Sequence, residues 1–101
     1  MNLLKQTHKF KKWLKKLRDN RAKARIMMRI KRAQNGNFGD SAPVGEGVSE
    51  MRIDYGPGYR VYYMQHKEKV YLLLSGGDKS TQQEDINKAI QMAKEIRGNH
   101  E

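Results

Sequence analysis

The stretch Glu50–Tyr63, EMRIDYGPGYRVYY, decides the fold. Apolar and polar residues alternate on both sides of Gly56-Pro57-Gly58, as in two strands joined by a tight turn. Proline presets φ, and the flanking glycines can take the left-handed geometry that such turns need. Burying Met51 and Ile53 on the same side as Val61 and Tyr63 requires paired positions to sum to an even number, so the loop holds three or five residues. The three-residue choice pairs Tyr55 with Tyr59, Ile53 with Val61 and Arg52 with Tyr62, and it sets Arg60 opposite Asp54. Arg52 and Arg60 then become diagonal neighbours on one open face, about 7–8 Å apart at Cβ, a spacing at which two guanidiniums can grip one phosphate.

Downstream, Lys67-Glu68-Lys69 makes a second polar turn, and the nearly continuous apolar run Val70–Leu74 suits a strand covered on both faces. These strands form an antiparallel meander. Gly76-Gly77-Asp78-Lys79 ends the last of them and leads into a helix opened by Ser80 or Thr81, with Thr81 to Glu84 matching a capping box. Ile86, Ala89, Ile90, Ala93 and Ile96 form its buried side, and Gly98 stops it.

Upstream, residues 34–49 carry four glycines and a proline without periodicity, which reads as a long loop. Before it, Phe10, Trp13, Leu14 and Leu17 fall on one helical stripe starting from about Thr7. Asp19 or Asn20 caps a second helix, with Ala22, Ile26, Ile30 and Ala33 as its stripe and Gly36 as its stop. The two helices make an antiparallel hairpin with its basic residues outward. Leu3 and Leu4 sit in a leader that can form an edge strand. The order is therefore (β)ααβββα, an α+β domain in which helices cover an antiparallel sheet.

A chain of 101 residues forms a single domain, 1–101. It has no cysteine, which excludes disulfides and thiolate metal sites and points to a reducing cytoplasm. No apolar run is long enough for a signal peptide or a membrane span. The net charge of +10 is unevenly spread: residues 1–33 hold 13 Lys or Arg against the single Asp19, whereas residues 34–101 hold 8 against 10 acids. Such a block suits a polyanion, and nucleic acid is favoured over membrane because no broad apolar stripe accompanies the charge. Lys12, Lys15, Lys16, Arg25, Arg29, Lys31 and Arg32 are the RNA-binding candidates; the plainer reading is a solvated helical face.

Arg52, Arg60 and Lys79 form the cationic set suited to chemistry, because paired guanidiniums and an ammonium can stabilise charge developing on a phosphorane. Tyr62 shares that face and can stack on a base, or serve simply as a cross-strand aromatic. Tyr59 and Tyr63 point to the core. Glu50, also on the open face, is either a general base or a tether for an arginine. The histidines are badly placed: His66 lies about 20 Å from Arg60 along extended strand, His8 opens a helix, and His100 is near the chain end. Gly76-Gly77-Asp78-Lys79-Ser80 lacks the first glycine of a P-loop. Clusters that would hold a divalent metal are absent, and Met27-Met28 reads as helix packing.

The runs FKKWLKKLRDNRAKARI, RIKRAQNGNFGD, EMRIDYGPGYRVYY and LLLSGGDKSTQQEDINKA resemble the RelE/ParE superfamily of toxins from bacterial toxin–antitoxin modules. Within it the similarity is to the HigB-like branch, often labelled addiction module killer protein, and it extends from Thr7 to about Ala93. The resemblance implies two N-terminal helices packed on a small curved antiparallel sheet with a C-terminal helix. It also implies an mRNA interferase that enters the ribosomal A site and cuts mRNA, with the 2′-hydroxyl as nucleophile and a cyclic phosphate as product. That chemistry needs no metal and no cofactor. The arginine of the family's Gly-Tyr-Arg segment corresponds to Arg60, the basic residue of the preceding strand to Arg52 if one residue is added to the hairpin loop, and the basic residue after the last strand to Lys79. The sequence departs from RelE in its last segment, where Asp85 stands in place of a catalytic tyrosine, and from some HigB members in lacking a histidine there.

Two functions follow from the resemblance. The first is a ribosome-dependent endoribonuclease whose partners are the ribosome, mRNA and a cognate antitoxin, commonly a HigA-like helix-turn-helix protein. The second is a ParE-like poison of DNA gyrase, which shares the fold and does not cut RNA.

Overall fold

The computed structural model describes residues 1–98; His100 lies outside the described residues. Strand β1 (Leu3–Gln6) leads into helix α1 (His8–Lys16) and helix α2 (Asn20–Gln34). Strands β2 (Ser41–Gly45), β3 (Val48–Ile53), β4 (Tyr59–Lys67) and β5 (Val70–Asp78) follow, then a 3-10 turn (Lys79–Thr81) and helix α3 (Gln82–Gly98). The five strands form one sheet in the order β1-β5-β4-β3-β2. β1 joins β5 in parallel, and the other pairings are antiparallel. The α+β class, the meander and the edge position of β1 agree with the expectations above.

Local chemistry accounts for the helix starts. Thr7 caps α1 by accepting from the Phe10 N–H at 3.1 Å, and its hydroxyl donates to the Leu74 carbonyl at 2.7 Å, fastening the helix to β5. Asp19 caps α2 through the N–H groups of Arg21 and Ala22. At the third helix the expected Thr81–Glu84 capping box does not form. Thr81 lies inside the 3-10 turn, where its hydroxyl reaches Asp85 at 2.6 Å; Glu84 instead pairs with Lys88, and Asp78 caps the turn through the Ser80 N–H.

Both faces of the sheet are covered. Phe10, Ile26, Ile30, Met51, Val61, Tyr63 and Leu73 fill the layer beneath α1 and α2, whereas Val48, Tyr62, Met64, Leu74, Ala89 and Ala93 fill the layer beneath α3. Full burial of side chains such as Phe10, Ile26 and Leu73 stabilises the fold by about 1.5–3 kcal/mol each. The even-numbered face of β3 and β4 is therefore not open along its length. It is core where α3 lies over it and emerges near the β3–β4 turn.

Two further expectations change. The segment 34–49 is not a plain loop: it contains β2, which pairs Ser41 with Met51 and Ala42 with Glu50, and its Phe38 stacks on Tyr63 with ring centroids 4.9 Å apart. The glycines that hid this strand lie at its ends, with Gly45 and Gly47 at positive φ in the β2–β3 turn. In the β3–β4 hairpin the parity holds, but the loop has five residues, so Ile53 pairs with Tyr59 and Met51 with Val61. The Gly58 N–H donates to the Tyr55 carbonyl, closing a small turn inside the loop, with Gly56 and Gly58 both at positive φ. Arg52 consequently faces Arg60 directly, and Glu50 faces Tyr62.

No helix among the described residues is long and apolar enough to cross a membrane.

Candidate active site

The cleft beside the β3–β4 turn is built by three strand ends. β3 supplies Arg52, β4 supplies Arg60, and β5, whose Asp78 pairs with Tyr59, delivers Lys79 at the start of the 3-10 turn. Asp40, Ile53, Asp54, Gly58 and Tyr59 complete a lining around about 250 Å³. Gly58, at φ 83°, takes a left-handed turn conformation that favours glycine, and a Cβ there would sit in ordinary contact with the Lys79 Cβ, 3.6 Å away.

Two arginines directly opposite on one sheet face repel each other. Glu50 offsets this: its Oε2 accepts from Arg52 Nε at 3.0 Å and from Arg60 Nη1 at 2.9 Å, and its Oε1 accepts from Gln82 Nε2 at 3.0 Å. The Glu50 side chain is 4% exposed and that of Arg60 13%, so this is a mostly buried charge cluster in which each partner needs the others. Glu50 is thus a tether. Arg52 has a second partner in Asp40 at 3.1 Å, and its pKa is held above the ordinary value first by the hydrogen bond to Glu50. The Asp40 side chain is 62% exposed, so solvent screens this pair and a competing anion can displace it.

Tyr62 does not join the cleft. It is fully buried against α3, its hydroxyl has no hydrogen-bond partner among the described residues, and its pKa is pushed up to about 12, chiefly by burial. The expectation of an open cross-strand tyrosine fails because α3 covers the sheet at that position. Tyr59 and Tyr63 lie in the opposite core, as expected. His66, in β4, lines a separate cavity with Gln65, Lys67 and Arg97, and His8 is the first residue of α1.

The basic helical residues divide by environment. Lys12, Lys15, Lys16, Lys31 and Arg32 are exposed. Arg25 is exposed as well, with its guanidinium 4.6 Å from the centroid of the Tyr55 ring. Arg29 differs from the free phosphate ligand expected of it: it donates to the carbonyls of Arg52, Phe38 and Asp40, and burial lowers its pKa. It clamps the 37–40 segment to β3, and Phe38 and Asp40 are held by the same contact. Neither Asp40 nor Gln82 is recognisable as a site residue from the sequence. Both come from segments whose path depends on tertiary packing.

Residues 12–97 match the family described as phage derived protein Gp49-like. An uncharacterized protein of Haemophilus influenzae is 52% identical over 93 residues, covering 92% of this chain and 94% of that protein. The chain belongs to the phage-derived Gp49-like family, a toxin-like family related to RelE- and HigB-type toxins.

Proposed function

We propose that this chain is the toxin of a type II toxin–antitoxin module, a HigB-like, ribosome-dependent endoribonuclease that cleaves translated mRNA in the A site and so arrests translation in the cytoplasm. The observation carrying this reading is the meeting of Arg52, Arg60 and Lys79 in one cleft. The RNA 2′-hydroxyl gives up its proton to solvent water and attacks the adjacent phosphorus, the P–O5′ bond breaks, and a cyclic phosphate and a 5′-hydroxyl result. Arg60, pre-set by Glu50, and Arg52, released from Asp40, bind the non-bridging oxygens where negative charge builds up. The Lys79 ammonium stands beside them as the proton donor for the departing 5′-oxygen. Exposed lysines of α1 and α2 dock on ribosomal RNA through phosphate contacts, and a cognate helix-turn-helix antitoxin neutralises the basic surface.

The test maps the 5′ ends of cellular transcripts after brief induction of the chain and of its Arg60→Ala variant. The reading expects new ends at translated codons with the parent and about 10²–10³-fold fewer with the variant. Intact transcripts with DNA breaks would overturn it in favour of a ParE-like gyrase poison. Undiminished growth arrest by Arg60→Ala would also count against it.

A further inference from the structure

A second cleft adjoins the first and uses residues that the cleavage chemistry does not. Arg25, Met28, Arg29, Arg32, Ile53 and Asp54 line about 270 Å³, and Ile53 and Asp54 also line the Arg52–Arg60–Lys79 cleft. The two spaces therefore abut along the end of β3. Arg25, Arg29 and Arg32 fall at i, i+4 and i+7 on α2, each one residue before a buried member of the stripe Ile26, Ile30, Ala33. They consequently form a row about 10 Å long at the margin where the helix meets the sheet.

The three arginines are not equivalent. Arg29 is committed to backbone carbonyls, whereas Arg25, steadied over Tyr55, and Arg32 are exposed. Between them lie Met28 and Ile53, an apolar floor, and Asp54, an acceptor. Guanidiniums around an apolar floor match a nucleotide, whose base packs on the floor while its phosphate meets the charges; the Asp54 carboxylate can accept from a ribose hydroxyl or a base amino group.

We infer that this second cleft holds the nucleotide beyond the two that flank the phosphate lying between Arg52 and Arg60, so that the two clefts form one groove for a single RNA strand. The identity of the polyanion rests on the function proposed above. The groove itself is independent of whether the chain cuts.

The experiment measures fluorescence anisotropy with labelled oligonucleotides of two and five nucleotides, 2′-O-methylated throughout so that cleavage is blocked. The parent should bind the longer probe about 10-fold or more tightly than the shorter. The double variant Arg25→Gln/Arg32→Gln should lose most of that gain while holding the two-nucleotide probe as the parent does. Its log–log salt slope on the longer probe should fall by about 0.7, corresponding to one phosphate contact on a single strand. Arg60→Ala should weaken both probes. A length gain that survives in the double variant overturns the inference, as does an equal loss on both probes or no binding of either. The nuclease reading is decided separately by transcript ends, so a groove that binds without cutting, or a chain that cuts with its length gain unaltered, separates the two.

Discussion

Arg52 and Arg60 face each other across the β3–β4 ladder and donate to the same oxygen, Oε2 of Glu50, at 3.0 and 2.9 Å. One buried carboxylate thus fixes the spacing of two cations that would otherwise drive each other apart. Gln82 binds the other oxygen from the first turn of α3, so the placement of that helix feeds directly into the geometry of the cleft.

Replacing Glu50 by Gln keeps the volume and removes the charge. Folding stability should fall by about 1–3 kcal/mol in urea titration, because two arginines lose a charge-assisted partner. Cleavage should fall about 10²-fold, the scale of a misplaced catalytic group. Gln82→Ala separates tether from general base, since Gln82 cannot carry the proton. It should lower cleavage in the same direction, by less, with the shape of the pH–rate profile unchanged. A Gln82→Ala variant as active as the parent would contradict the tether.

Tyr62→Phe distinguishes a core residue from a catalytic one. The hydroxyl is buried without a hydrogen-bond partner among the described residues, so its removal should leave stability unchanged or raise it by up to about 1 kcal/mol, with toxicity intact. The pH dependence follows from the raised pKa. A tyrosine at about 12 in the folded chain and near 10 when unfolded contributes stability that is fully present below pH 10 and is lost as pH rises through 12. Burial raises Tyr59 in the same direction. Alkaline unfolding of the parent should therefore steepen across that window, and the Phe variant should show a shallower slope.

The hairpin parity was readable because alternation along Met51–Ile53 and Val61–Tyr63 leaves only one buried side. The five-residue loop was not, because Tyr55 enters the turn through the Gly58 N–H and through contact with Arg25 on a distant helix. The cationic trio was legible for the same reason as the hairpin: parity and a neighbouring strand bring it together. Strand β2 was hidden because Ser41–Gly45 has little strand propensity of its own and borrows its ladder from β3. Helix α3 was recognised, but its position over Tyr62 was not, since periodicity identifies a buried stripe without identifying what it covers.

Arg29 should matter for structure more than for binding. Arg29→Met keeps much of the stem and removes the donors to three carbonyls, so stability should drop by at least about 2 kcal/mol. Amide hydrogen exchange should accelerate in 37–42 and at Arg52, whose N–H bonds the Asp40 carbonyl at 2.8 Å. Equal protection in variant and parent would mean that β2 holds the segment unaided.

Gly76 and Gly77 lie inside β5, and each leaves space for a different side chain. A Cβ at Gly76 would overlap the Trp13 ring beneath α1, whereas a Cβ at Gly77 would overlap the Asp85 carboxylate on the α3 side. Gly76→Ala should cost about 1–3 kcal/mol through overpacking. Trp13→Leu should cost stability by itself, yet the double variant should be more stable than the sum predicts, because the smaller side chain makes room for the methyl. Gly76 lies on the face opposite Arg60, so cleavage per folded molecule should be unchanged in Gly76→Ala. Gly77 pairs with Arg60, and in Gly77→Ala the displaced Asp85 pulls on Thr81 and the turn that carries Lys79, so cleavage should fall along with stability. Melting curves together with a cleavage assay normalised to folded protein check both, and equal cleavage losses in the two variants would refute this division between faces.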